Sequence, residues 1–133
     1  MSYDIELPNP FWFGIKINES EDRLPSIGCE VELKLEMPRG IFSYSAKDIL
    51  FECSVFDEFL VQLERLKTGE AGKAEFYDMD REIVLSFTKE EIQLSVHRIH
   101  SEIGSGYMEF KSDFDRELVI QHIEHIESFA KWW

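Results

Sequence analysis

Cys29-Glu30-Val31-Glu32-Leu33-Lys34-Leu35-Glu36-Met37 decides the fold. Apolar and charged residues alternate through this stretch, and a period of two sends Val31, Leu33, Leu35 and Met37 to one side of a strand. Glu30, Glu32, Lys34 and Glu36 go to the other. One face is core and the other meets water.

Pro38-Arg39-Gly40 supplies the proline and glycine of a tight turn, so the chain from Ile41 returns as the second arm of a hairpin, to about Cys53. The apolar phase changes near Ala46-Lys47, from Phe42 and Tyr44 to Ile49, Phe51 and Cys53, which predicts a bulge or a break. Upstream, residues 1–10 show no clear period. Phe11-Trp12-Phe13-Gly14-Ile15-Lys16-Ile17 has the aromatic and β-branched content of a first strand, and Asn18 to Pro25 reads as an acidic loop.

Downstream, Ser54 and Asp57 suit a helix start, and a helix to about Lys67 would place Val55, Phe56, Phe59, Leu60, Leu63 and Leu66 on one arc, with Val61 off it. Gly69 to Gly72 ends it. A meander is expected next, with strands near Lys73–Asp78, Glu82–Thr88, Ile92–His100 and Tyr107–Phe114. Asp78-Met79-Asp80-Arg81, Lys89-Glu90-Glu91 and Gly104-Ser105-Gly106 would be the turns, short enough to require antiparallel neighbours. Asp115 can cap a last helix with Leu118, Val119, Ile123, Ile126, Phe129 and Ala130 along its apolar arc. The fold class is therefore α+β: an antiparallel hairpin plus a four-stranded meander with two amphipathic helices, in a single domain over residues 1–133.

A chain of 133 residues that is 44% hydrophobic, with eleven Phe and three Trp, can bury a core without a structural metal or disulfide. The acidic start lacks the pattern of a signal peptide, no apolar run approaches a membrane span, and Cys29 and Cys53 are expected as buried free thiols, so the expected location is the cytoplasm. The net charge of −13 argues against nucleic acid as a partner, because affinity for phosphates comes from cations. It suits solubility, or the steering of a basic protein.

Candidate chemistry is sparse. His122 and His125 stand three apart on the last helix, where two imidazoles could share a metal, but catalytic zinc needs a third protein ligand, and apart from His97 and His100 no other residues have metal-site spacing. Both read as partly buried helix residues. His97 and His100 point to opposite faces of a strand. Gly104-Ser105-Gly106 matches neither a nucleophile elbow nor a phosphate loop, and the cysteines have no cationic neighbours in sequence to activate a thiol. No catalytic residue, metal site or cofactor is assigned. Glu30, Glu32 and Glu36 form an acidic stripe on an exposed sheet face, the candidate partner-binding residues. Phe11-Trp12-Phe13 and Trp132-Trp133 concentrate aromatic area near the chain ends, which must be covered by the chain itself or by an interface.

The run Phe59-x-x-x-Leu63-x-x-Leu66, followed by Gly72-x-Ala74-x-Phe76 and a meander, resembles the WapI-like immunity proteins of bacterial polymorphic toxin systems. The resemblance spans about residues 11 to 130 and rests on core and turn positions, so no functional residue transfers. It implies a cytoplasmic, non-enzymatic protein that neutralises a basic toxin domain by binding it. Two other readings stand beside it: a metal-dependent enzyme using His122 and His125, and a structural or oligomeric module joined through the terminal aromatics.

Overall fold

A computed structural model describes residues 3–20, 26–70 and 72–129, the side chains of Glu19 and Ser20 excepted. Ala130, Trp132, Trp133 and most of the expected acidic loop lie outside the described residues. The first sheet is built from β1 (Ile5–Leu7), β2 (Trp12–Ser20), β3 (Ser26–Met37) and β4 (Gly40–Glu52), antiparallel and in that order. Burial along β3 alternates from Ile27 to Leu33, as the sequence pattern requires. It stops there: Leu35 is half-buried and Met37 is exposed, because β3 outruns its neighbour β2, whose pairing ends at Trp12 opposite Lys34. β1 pairs Ile5 with Ile15 and Leu7 with Phe13, and is too short for its period to show in the sequence.

The phase change in β4 is a bulge. Val31 faces Ala46 while Cys29 faces Ile49, so β4 carries one extra residue around Lys47-Asp48, and Asp48 takes the left-handed conformation with φ 58°. The slip returns Ile49 and Phe51 to the buried face.

β4 runs directly into α1 (Cys53–Lys67) without a loop. Glu52 is therefore both the last strand residue and the N-cap, and it makes no side-chain cap bond; Ser54 and Asp57, expected at the start, lie within the helix instead. The start is held by burial of Cys53, Val55 and Phe56. The end is a Schellman motif, in which Gly69 (φ 83°) donates to the Leu66 carbonyl at 3.1 Å and Glu70 to that of Arg65 at 3.0 Å.

The second sheet is the expected meander: β5 (Ala74–Tyr77), β6 (Ile83–Phe87), β7 (Glu91–His100) and β8 (Gly104–Asp113), antiparallel and in sequence order. One corner differs. Gly104-Ser105-Gly106 belongs to β8 and pairs with Arg98 to His100, so the turn is Ser101-Glu102-Ile103. α2 (Arg116–Glu127) follows, and the Asp115 carboxylate accepts from the Glu117 N–H at 2.9 Å, the expected cap.

The inner faces of the two sheets meet through aromatic rings. Phe51 stacks on Phe76 at 4.9 Å, Phe13 approaches the same ring edge-on, and Phe11 meets Phe110 at 5.3 Å. The helices pack on each other and close one end, where Phe56 and Phe59 surround Phe76 and His122 lies edge-on to Phe87. β4 leaves for α1, and β8 for α2, at their helical ends. The turns that precede these two strands thus project away from the helices, and that end is open.

Candidate functional site

Glu30, Glu32 and Glu36 do share the outer face of β3, but they are not equivalent. On β2 the residue opposite Glu32 is Gly14, where a Cβ would stand 2.4 Å from the Trp12 ring and 2.9 Å from the Tyr3 ring. Only glycine leaves room for both aromatics on the strand surface. Tyr3 and Trp12 meet edge-on at 4.9 Å over it, and the Tyr3 hydroxyl donates to Glu32. Lys34 Nζ lies 3.2 Å from the same carboxylate and 5.5 Å from the centre of the Trp12 ring. The hydrogen bond from Tyr3, then the Lys34 ammonium, holds the Glu32 carboxyl below the usual range. Glu32 is thus committed within the chain. Glu30 is half-buried opposite Lys16, whereas Glu36 is exposed and has no ion-pair partner among the described residues.

The paired histidines separate. His122 is 1% exposed, and its Nδ1 is 2.8 Å from the Leu118 carbonyl, so that nitrogen carries the proton and donates. Its Nε2 is buried without a partner, and burial pushes the imidazole down to about 4. His125, one turn away, is exposed rather than half-buried. A metal held by His125 could not reach a nitrogen that has no accessible surface without repacking the helix. Among the described residues, no three of His, Cys, Asp and Glu are grouped as metal ligands. His97 lies edge-on to Tyr107 at 5.7 Å, and His100 Nδ1 accepts the Glu102 and Ile103 N–H groups, a turn role.

Cys29 and Cys53 are buried and unbridged. Burial, reinforced by Asp4 and Cys53, pushes the Cys29 thiol up to about 12, and burial with Asp57 raises Cys53. Asp78 is also buried; its Oδ1 accepts from the Ile83 N–H at 2.8 Å and ties the β5–β6 corner, while burial raises its carboxyl above the ordinary value. These groups serve packing and turns.

The feature that sequence reading missed is at the open end. A cleft of about 460 Å³ lies between the far part of the β3–β4 hairpin and β8, lined by Phe11, Leu35, Met37, Phe42, Met108 and Phe110 among others. Its size is that of an ordinary ligand pocket. Met37 is 48% and Phe42 55% exposed, although both lie on the core-facing side of their strands. The alternation predicted core for Met37; the strand-length mismatch that exposes it is set by where β2 begins, which no periodicity in β3 encodes. Phe11 and Phe13 are fully covered from within the chain, and Trp12 is half-buried. Among the described residues no helix is long and apolar enough to cross a membrane. No protein-family model, curated protein or solved structure matches the chain.

Proposed function

We propose that this protein is a non-enzymatic cytoplasmic binding protein that holds a basic protein partner, in the way that the resemblance to WapI-like immunity proteins implies for a toxin domain. The observation that supports the reading is the pairing of an apolar cleft at the open end with a net charge of −13. Apolar surface left open in a soluble domain marks a contact site, and a strongly negative chain speeds and selects the approach of a cationic partner. The acidic stripe, with exposed Glu36, lies on the outer face of β3, the side opposite the one from which Leu35 and Met37 line the cleft. Buried thiols suit a reducing compartment.

The test is affinity capture from the native cell extract at low and high salt, with wild-type protein and a variant carrying Glu30→Lys, Glu32→Lys and Glu36→Lys. The expected outcome is one basic protein, retained at low salt, released at high salt and lost in the variant. Equal retention by the variant would remove the acidic face from the reading, and recovery of no basic protein would end it.

A further inference from the structure

The cleft at the open end is a part of the core that the chain leaves unfilled. Its inner end is formed by Phe11, Leu33 and Leu94, which are fully buried, and its mouth by Met37 and Phe42, which are about half exposed. Leu33, Leu35 and Met37 share one face of β3, while Leu94 stands opposite Phe110 on the β7–β8 pair, with Met108 on the same face. The space therefore lies between the inner faces of the two sheets, the faces that meet elsewhere through Phe13, Phe51 and Phe76. Three polar side chains complete the described lining: Lys34, Tyr107 and Glu109. Each belongs to the outward-facing set of its strand and is engaged within the chain. Lys34 is held to Glu32 at 3.2 Å, the Tyr107 hydroxyl donates to Glu109, and Glu109 also meets Lys111 at 3.2 Å.

We infer that the cleft binds a neutral, apolar small molecule whose hydrocarbon body lies between the sheets and whose polar group, where it has one, is uncharged and stays at the mouth. The lining argues against the other occupants. A charged head group would find no free counter-charge among the lining side chains, and an unpaired charge is costly to bury. A peptide, whether from a partner or from a second copy, brings an N–H and a C=O on almost every residue, and the same side chains have no free donor or acceptor to meet them. Water is held poorly for the same reason. An apolar molecule needs none of these partners and gains from every contact. With roughly 30 Å³ for a water-sized group such as a methylene, about 460 Å³ has room for about 15 of them. The thioethers of Met37 and Met108 can adapt to its shape. This goes beyond the binding role proposed above and leaves room for it: Ile41, Ile99 and Ile103 on the two hairpins are exposed and outside the lining, free for a protein contact at the same end.

The experiment titrates the full chain by calorimetry with decanol, decanoate and decylamine, probes of equal chain length whose head groups are neutral, anionic and cationic. Decanol is expected to bind at one equivalent, and from hexanol to decanol the affinity should rise about fourfold with each added methylene. Decanoate and decylamine should bind about tenfold more weakly than decanol, or less tightly still. Two variants place the site. Met108→Trp fills the cleft and should weaken decanol about tenfold or more, whereas Ile103→Ser removes the most exposed of these apolar side chains, 86% exposed and outside the lining, and should bind as wild type does. Should Met108→Trp fail to fold in urea titration, Phe42→Lys replaces it: at the half-exposed mouth a lysine should weaken decanol and admit decanoate. No saturable binding of decanol overturns the inference. So does equal binding of the charged probes, or a loss in Ile103→Ser without one in the cleft variant, which would mean adsorption to the hairpin tips. If capture from extract yields no basic protein while decanol binds at one equivalent, the functional reading fails and the ligand site stands. If a basic protein is captured and decanol does not bind, the reverse holds.

Discussion

β4 and β8 are the two long edge strands of the molecule, and they treat their free edges differently. β4 is interrupted by the bulge at Lys47-Asp48, its Leu50 carbonyl is taken by the Met79 N–H at 2.8 Å, and it buries Ala46, Ile49 and Phe51. β8 runs in unbroken register, has no residue that is fully buried, and carries Met108 and Phe110 half-covered beside the cleft. Bulges and occupied carbonyls are what folded proteins use to stop an edge from recruiting another strand. β4 has those devices and β8 lacks them over its cleft-facing part. The contrast teaches that the same secondary structure does two jobs here: β4 closes the core, and β8 is left available.

The contrast breaks most visibly under core truncation. Phe51, fully buried against Phe56 and Phe76, should lose about 3–5 kcal/mol on replacement by Ala, whereas half-buried Phe110, with one edge contact to Phe11, should lose about 1–2 kcal/mol. Urea unfolding of both variants measures the difference. Equal losses would show that the cleft end is as much core as the helical end, and the division drawn here would be wrong.

A second test isolates the closed end by pH. His122 sits near 4 in the folded protein because burial disfavours its charged form, against an ordinary 6.5 when unfolded. Between those values the unfolded chain binds more protons, so stability falls as pH drops from 6.5 through 4, by about 3 kcal/mol in total from this group. The depressed value makes this a loss on acidification, fully absent above pH 6.5. Urea midpoints across that window should decline in wild type and decline less in His122→Leu. The same slope in both proteins would place the acid sensitivity elsewhere.

How legible this was in the sequence depends on the physical range of each signal. The alternation of β3 as far as Leu33, the apolar arcs of α1 and α2, the Asp115 cap and the meander are local patterns, and the structure follows them. Burial on α1 follows the arc at Val55, Phe56, Phe59, Leu63 and Leu66, with Leu60 half-buried, and Val61, off the arc, is 51% exposed. What failed was set by distant partners. Ser54 gave way as cap because the preceding strand continues into the helix, and Gly104-Ser105-Gly106 became strand because it pairs with Arg98, Ile99 and His100. The acidic stripe was legible as a pattern, but Tyr3, which occupies Glu32, is 29 residues away in the chain. The cleft depends on strands of unequal length meeting across two sheets, and no single stretch carries that information.

The smallest effect bears most directly on the edges. Asp48 holds a left-handed backbone at φ 58°, a conformation that side chains bearing a Cβ resist and that aspartate tolerates better than most. Replacing it by Gly should raise stability by up to about 1 kcal/mol, because the strain goes while the bulge remains. Asp48→Val should cost about 1–2 kcal/mol, since a β-branched side chain is poorly accommodated there and favours straight pairing instead. The informative reading is in the assembly state. If the bulge is what keeps the β4 edge from recruiting strands, Asp48→Val, by favouring a flat edge, should self-associate at concentrations where Asp48→Gly and wild type stay unchanged, as sedimentation would show. A Val variant that is destabilised yet no more associated would mean that Leu50 and Met79 alone protect this edge, and the difference between β4 and β8 would then rest on a single hydrogen bond.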